Sequence, residues 1–294
     1  MSRTNWDVVT AHNCLLGESP VWDHRQKRIF WIDILNGEIH YFYPGRNEYD
    51  CYSVGRITGS IALKKSGNII ATIERSFATI DIHNKTMRVI AETEVHLHNN
   101  RFNDGKCDPA GRFWAGTMSV LNEAHAGSLY ALEKDLTVST KLAGVTCSNG
   151  LAWSPDHKTL YYIDTPNRNV TAFDYNITDG NLSDRRVVIN IPGETGYPDG
   201  MTIDTEGMLW IAIWGGWKII RYNPYTGKKL FQVTLPVSQV TSCIFGGDSM
   251  DDLYITSAGI GLSEKEFREQ PLAGSLFVIR NSGFTGINSY EFGG

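Results

Sequence analysis

Two carboxylates and two carboxamides stand at one position of a repeating pattern. Glu18 lies five residues before Asp23, Asn103 five before Asp108, Asn149 five before Ser154 and Asp199 five before Asp204. Side chains in equivalent register occupy equivalent places, so an architecture that repeats around an axis brings these four together. Asp199, in the stretch GYPDGMTID, would on its own read as part of an ordinary turn before a strand. Two carboxylates gathered away from bulk water repel each other unless a cation neutralises them or one takes a proton. The two remaining copies of the position hold Gly59 and Thr241, neither of them basic. Glu18 and Asp199 with the amide oxygens of Asn103 and Asn149 therefore make a hard, all-oxygen donor set for one divalent metal ion. Ca²⁺, Mg²⁺ or Mn²⁺ suit it, and Zn²⁺ and Fe²⁺ stay open. A few protein ligands on a rigid ring leave positions for water or substrate, as catalytic metal centres require.

The elements that must position these residues are short strands. Copies of one template begin at Glu18, Gly59, Asn103, Asn149, Asp199 and Thr241, spaced between 41 residues (Glu18 to Gly59) and 50 (Asn149 to Asp199). Each copy runs from a polar residue through a few apolar ones to a turn and a second strand, and most continue into a further hairpin. The turns Lys64–Gly67, Asp108–Gly111 and Asp204–Gly207 each place a glycine where a hairpin needs a positive φ. Only LSEKEFREQ, residues 262–270, has the look of a helix. This pattern predicts an all-β fold, a single six-bladed β-propeller domain over residues 1–294 with four-stranded antiparallel blades. The first strand of each blade would line the axis, and a strand around Trp6 to Val9 would complete the last blade.

Composition narrows the partners. The 294 residues carry a formal charge of −5 with no block of basic residues, so neither nucleic acid nor an anionic membrane surface is expected. A small neutral or polar molecule fits better, and no obligate protein partner is apparent. The opening MSRTNWDVVTAHN lacks the apolar centre of a signal peptide, which leads to an expectation of a cytoplasmic protein. Five cysteines without a C-x-x-C pair argue against a disulfide framework and against a thiolate zinc site. His96 and His98 read as loop residues, His125 as a loop residue near the channel mouth, and Trp214 and Trp217 as either a mouth wall or a packed blade edge.

The segments LLGESPVW, RFNDGKCDPAGRFWAGTM, SNGLAWSPDHKTLYYIDT and YPDGMTIDTEGMLWIAIWGG occur in that order, and with them the chain resembles the regucalcin, gluconolactonase and luciferin-regenerating family over essentially its whole length. The ending GLSEKEFREQPLAGSLFVI looks most like bacterial sugar-lactonase members. The resemblance implies metal ligands at Glu18, Asn149 and Asp199, a substrate contact or water-bridged ligand at Asn103, and a substrate-binding arginine at Arg101. After GTM, members that bind sugar lactones carry consecutive glutamates, where this chain has Ser119, Val120 and Leu121. Leu121, at a substrate-facing position of the family, cannot accept hydrogen bonds from sugar hydroxyls, so a different aldonolactone is expected. The implied activity is metal-dependent hydrolysis of a sugar lactone with the metal as Lewis acid. Asp199 is the candidate base, and a water on the metal is the alternative nucleophile, because a cation-bound carboxylate is a weaker base. Two other readings stand beside it: a calcium-binding regulatory or scaffold propeller without turnover, and a related esterase or organophosphatase.

Overall fold

Apolar runs too short for helices, broken by Gly, Asn, Asp and Pro, pair into six four-stranded sheets in the computed structural model, which describes residues 6–10 and 12–294. Every pairing between neighbouring strands in the sheets is antiparallel. The innermost strands, one per blade in chain order, are Gly17–Asp23, Thr58–Leu63, Asn100–Cys107, Ser148–Trp153, Tyr197–Ile203 and Val240–Gly246. Each packs against the innermost strands of both neighbouring blades, so the six close into a ring. The expected six-bladed propeller is the observed fold.

The ring is closed by the chain's beginning. Asp7–Thr10 pairs antiparallel with Leu276–Ile279 and forms the outer strand of the sixth blade. Trp6, just ahead of it, meets Phe277 edge-on at 5.5 Å. Apolar packing is distributed over the seams between blades. Ile163, Ile189, Met201 and Ile211 pack between the fourth and fifth blades, for example, and Phe30, Ile39, Ile61 and Ile73 between the first and second. Each blade thus buries both faces of its sheet against a neighbour.

The repeated turns hold as expected, with φ of 93° at Gly67, 88° at Gly111 and 77° at Gly207. The aspartates that open two of them do more than turn the chain. Asp108 Oδ2 accepts from Trp114 Nε1 (2.9 Å) and from the Tyr175 hydroxyl of the next blade (2.7 Å), and Asp204 Oδ2 accepts from Trp210 Nε1 (2.9 Å) and Arg221 Nε (2.7 Å). The one short α-helix among the described residues, Glu264–Glu269, is capped by Ser263 and Glu266 in a reciprocal box and buries no residue.

The sequence pattern did not foretell the path of the C-terminus. After Ile279 the chain crosses the turn end of the ring: Gly286 N donates to Met250 O (2.8 Å), Thr205 N to Thr285 O (2.8 Å) and Phe292 N to Leu63 O (2.8 Å). Gly286 lies so close to Phe245 that a Cβ would come within 2.1 Å of the phenylalanine Cβ, which excludes any other residue there. Ser289 and Tyr290 cap two axial cavities of about 20 and 40 Å³ lined by the inner strands. The channel is therefore plugged at the end away from Glu18 and Asp199. No helix among the described residues is long and apolar enough to cross a membrane.

Phe292 is fully buried against Phe77, Phe102 and Phe113. Phe292→Ala is expected to cost about 3–5 kcal/mol, lowering the midpoint of thermal unfolding by roughly 10 °C at the usual slope for a chain of this size or somewhat smaller. Circular dichroism melting checks it, and an unchanged midpoint would mean that the strap lies on the ring without stabilising it.

Candidate metal centre

All six innermost strands are interrupted at the same register. The pairing shifts between Glu18 and Val21, Thr58 and Ser60, Phe102 and Gly105, Asn149 and Leu151, Pro198 and Met201, and Val240 and Ser242. A bulge re-aims a side chain that strict alternation would send into a blade seam. Here it takes in Asn103, Asp199, Gly59 and Thr241 themselves, and it begins directly after Glu18 and Asn149, which remain paired with Ile32 and Ile163. Asp199 is thus not a turn residue: it sits within Tyr197–Ile203. The glycine that follows Asn149 or Asp199 allows close contact between blades. A Cβ on Gly150 would lie 2.8 Å from the Asp199 carbonyl oxygen, and one on Gly200 would lie 2.2 Å from Ser242 Oγ. At Glu18 the distortion is taken by Ser19, whose φ of 49° is unusual for a non-glycine residue. Its amide donates to Glu18 Oε2 at 2.7 Å, and its hydroxyl bridges to the second blade through Ile61.

Hydrogen bonds tie three of the four positions, Asn103, Asn149 and Asp199, into one arc. Asn103 Nδ2 donates to Ser148 O (2.9 Å) and to Asn149 Oδ1 (3.3 Å), and Asn149 Nδ2 donates to Thr165 Oγ1 (2.8 Å). The Thr165 hydroxyl in turn donates to Pro198 O (2.9 Å), next to Asp199. Arg101 NH1 donates to Asn103 Oδ1 (2.8 Å) and Phe102 O (2.9 Å), so the amide oxygen of Asn103 is turned to the guanidinium. Glu18, Arg101, Asn103, Asn149 and Asp199 retain between 4% and 8% of their surface exposed, enough to be reached from one side.

Two residues of the ring escaped the sequence reading. Asp104 is buried beside Glu18 and Asp199, and Lys106 places its ammonium in the same field while donating to Met201 O at 2.7 Å. Period-two alternation assigns neighbours Asn103 and Asp104 to opposite faces. The bulge sets both against the single residue Gly116 of the next strand and removes that distinction. The ring therefore contains three carboxylates and an ammonium, where the sequence pattern offered two carboxylates and no cation.

Burial is the main force on these charges. It pushes the Glu18 carboxyl well above the ordinary carboxylate range, with Asp199 and Asp104 pushing the same way and the Ser19 amide and Lys106 opposing. Asp199 is also pushed well up, by burial and then by Asp104, against the Gly200 amide. Burial raises Asp104 and lowers the Lys106 amine, while their mutual attraction opposes both shifts. The Lys106 ammonium and the Arg101 guanidinium, which also feels Glu18, do not neutralise three carboxylates, and a divalent cation would supply the missing charge. With Glu18 and Asp199 as hard anionic donors and Asn149 Oδ1 beside them, the chemistry of the residues fits such an ion. Asn103, engaged with Arg101, fits a place beside it.

Leu121 lies apart from this arc, 62% exposed in the loop after Phe113–Ser119. Met118 pairs with Arg101, however, which puts that loop at the same end of the blade as the arginine. His96 and His98 are exposed between Thr86–Glu92 and Asn100–Cys107, and His125 is exposed with Nδ1 3.0 Å from Gly144 O. Trp214 is half-buried and Trp217 is 40% exposed.

With this geometry in place, comparison with known proteins is decisive for kinship. The family described as SMP-30/Gluconolactonase/LRE-like region matches residues 16–259. The chain belongs to that family. Regucalcin of Gallus gallus is 40% identical over 299 residues, with all of both chains covered. A solved structure of luciferin-regenerating enzyme superposes with a TM-score of 0.92 at 31% identity, covering 98% of this chain and 99% of the other. The calcium-binding protein regucalcin from Agrobacterium tumefaciens has the same TM-score at 26% identity, covering 97% and 96%.

The raised carboxyls give a signed pH dependence. A carboxyl whose pKa is higher folded than unfolded stabilises below about pH 4, and that stabilisation is lost as pH rises through the folded value. Metal-stripped protein should melt at progressively lower temperature as pH rises above about 4, and Ca²⁺ should reverse the loss while releasing protons on binding. Melting curves across pH with and without Ca²⁺ test this, and a stripped protein that gains stability over the same range would contradict the assignment of the charges.

Proposed function

We propose that this protein hydrolyses a sugar lactone to the aldonic acid in a metal-dependent reaction. The observation that carries the reading is the convergence of Glu18, Asn149 and Asp199 from three blades on one end of a channel whose other end is plugged, with Arg101 locked to Asn103 beside them. Membership of a family that includes gluconolactonase in its description supports a lactonase-type activity.

A divalent ion held by Glu18, Asn149 and Asp199 would supply electrostatic stabilisation of the negative charge that builds on the lactone carbonyl oxygen. The chain's own residues do the rest. Asp199 is placed to accept a proton from the water that attacks the carbonyl carbon, although an ion held by the same carboxylate would weaken it as a base. The bond from that carbon to the ring oxygen breaks, the ring oxygen takes up a proton, and the product acid ionises and acidifies the medium. Arg101 orients the substrate through guanidinium donors other than NH1, and Asn103 is held by Arg101 and Asn149 in one orientation. The apolar Leu121 and Val120 on the loop at the same end favour a lactone with fewer hydroxyls to satisfy there.

A second reading, calcium binding without turnover, is favoured by the description of the Agrobacterium relative as a calcium-binding protein. Proton release from a panel of aldono-1,4- and 1,5-lactones by stripped protein reloaded with Ca²⁺, Mg²⁺, Mn²⁺, Zn²⁺ or anaerobic Fe²⁺ separates the two. Turnover with one of the metals supports hydrolysis, and tight binding with no turnover on any lactone moves the assignment to the second reading. Asp199→Ala should lower kcat/KM by at least about 10²-fold with an unchanged circular dichroism spectrum, and full activity at saturating metal would remove Asp199 from the site. Leu121→Glu should change the ranking among the lactones, and an unchanged ranking would mean that the loop does not face the substrate.

A further inference from the structure

The segment that joins the closing strand Asp7–Thr10 to the first inner strand carries His12 and Cys14, and it lies against His40 and Glu38 of the first blade. Atoms of His12, Cys14 and His40 able to bind a metal all lie within 4.8 Å of one another. Cys14 Sγ is 3.8 Å from His40 Nε2, and Glu38 Oε2 is 3.6 Å from His40 Nε2 and 3.7 Å from His12 Nε2. The nitrogen–oxygen spacings are too long for hydrogen bonds. They are close to the roughly 3.3–3.8 Å that separates ligands bound tetrahedrally to one ion at about 2.0–2.3 Å. We propose that His12, Cys14 and His40, with Glu38 beside the two imidazoles, form a second metal site, for a borderline-soft divalent cation such as Zn²⁺, at the seam where the propeller closes.

The surroundings suit that assignment. His40 Nδ1 is 2.8 Å from the Tyr49 hydroxyl, so an Nδ1–H donated to Tyr49 leaves the Nε2 lone pair facing Cys14 and Glu38. Trp31 stacks on the imidazole at 5.1 Å and holds its plane. The Leu15 and Leu16 amides donate to Asp33 at 2.7 and 3.2 Å and fix the segment that carries Cys14. Cys14 and His40 are buried, whereas the side chains of His12 and Glu38 are 40% and 29% exposed, which gives an ion access from solvent. The donor set differs in kind from the oxygen ring on the axis: imidazole and thiolate select Zn²⁺ and its neighbours, whereas carboxylate and amide oxygens suit Ca²⁺ and Mg²⁺. An ion there joins the segment after the closing strand to the first blade, and so staples the ring shut.

The test uses the full, metal-stripped chain and Co²⁺ alone as a spectroscopic probe. Cobalt should produce a thiolate-to-metal charge-transfer band in the near ultraviolet that disappears in Cys14→Ser. The band should survive in Cys147→Ser and Cys243→Ser, which remove thiols near the axial ring, and in Cys51→Ser, although the Cys51 thiol also lies within 4.8 Å of Glu38 and His40 ligand atoms. His12→Ala, at an exposed position that leaves the fold intact, should weaken Zn²⁺ binding at least 10-fold in competition with a chromophoric chelator, and should abolish the rise in melting temperature that Zn²⁺ produces in the unaltered chain. Tyr49→Phe should weaken it about 10-fold through the lost bond to His40. A band absent from the unaltered protein, a band that persists in Cys14→Ser, or Zn²⁺ affinity unchanged in His12→Ala would overturn the site. Because the readout is a sulfur–metal band, it does not depend on the lactonase reading and fails independently of it.

Discussion

Three carboxylates from three blades are held against one another where water is scarce, and much of the rest of the molecule serves to keep them there. Left to themselves, Glu18, Asp104 and Asp199 would separate, since each is destabilised first by burial, and Glu18 and Asp199 then by other carboxylates. A flexible pocket would relieve that repulsion by opening. A ring of six sheets cannot open at one point without loosening the seams that form its apolar core, so the unfavourable electrostatics persist, and a cation bound there would relieve them. Lys106 and Arg101 reduce the excess negative charge without removing it.

The device that delivers the charges to the axis is the bulge common to all six inner strands. In an unbroken strand a side chain at that register would point into a seam, where a carboxylate has no partner. The local extra residue turns it to the channel, and the following glycine in the fourth and fifth blades allows the neighbouring backbone to approach within a distance that no Cβ permits. Position and close packing are in this way one feature, and the dipeptides Asn149-Gly150 and Asp199-Gly200 encode both. The C-terminal strap completes the arrangement by plugging the far end, so that a ligand reaches the ring from the side where Arg101 and the Leu121 loop stand.

The molecule separates two kinds of donor chemistry in space. Oxygen donors lie on the axis, where the repeat brings Glu18, Asn103, Asn149 and Asp199 from four of the six blades, with Asp104 beside them. Sulfur and imidazole donors lie at the seam between the first and sixth blades, where the repeat is broken by the chain's own return to its beginning. A cross-link there adds to the backbone contacts that join the two ends of the propeller, the pairing of Asp7–Thr10 with Leu276–Ile279, the Leu16–Ala258 bridge and the bond from Cys14 N to Gly274 O.

Much of this was legible in the sequence. Repetition at 41 to 50 residues determined the number of blades, and equal spacing from the turn residues determined that Glu18, Asn103, Asn149 and Asp199 share a level, because local periodicity and turn chemistry act over a few residues and are written in order along the chain. The capped helix at Glu264–Glu269 and the positive-φ glycines of the turns were readable for the same reason. Only the tertiary structure decided the rest. Asp104 and Lys106 join the ring because a bulge overrides alternation, and the strap through Phe292 reaches Leu63 and Gly111 across more than half the chain. His12 and Cys14 meet His40 because closure of the ring folds the segment back onto the first blade, although the absence of a C-x-x-C pair had argued against any thiolate site. Such contacts are set by where packed sheets place distant residues, and a distance through space leaves no period or spacing in the order of the residues.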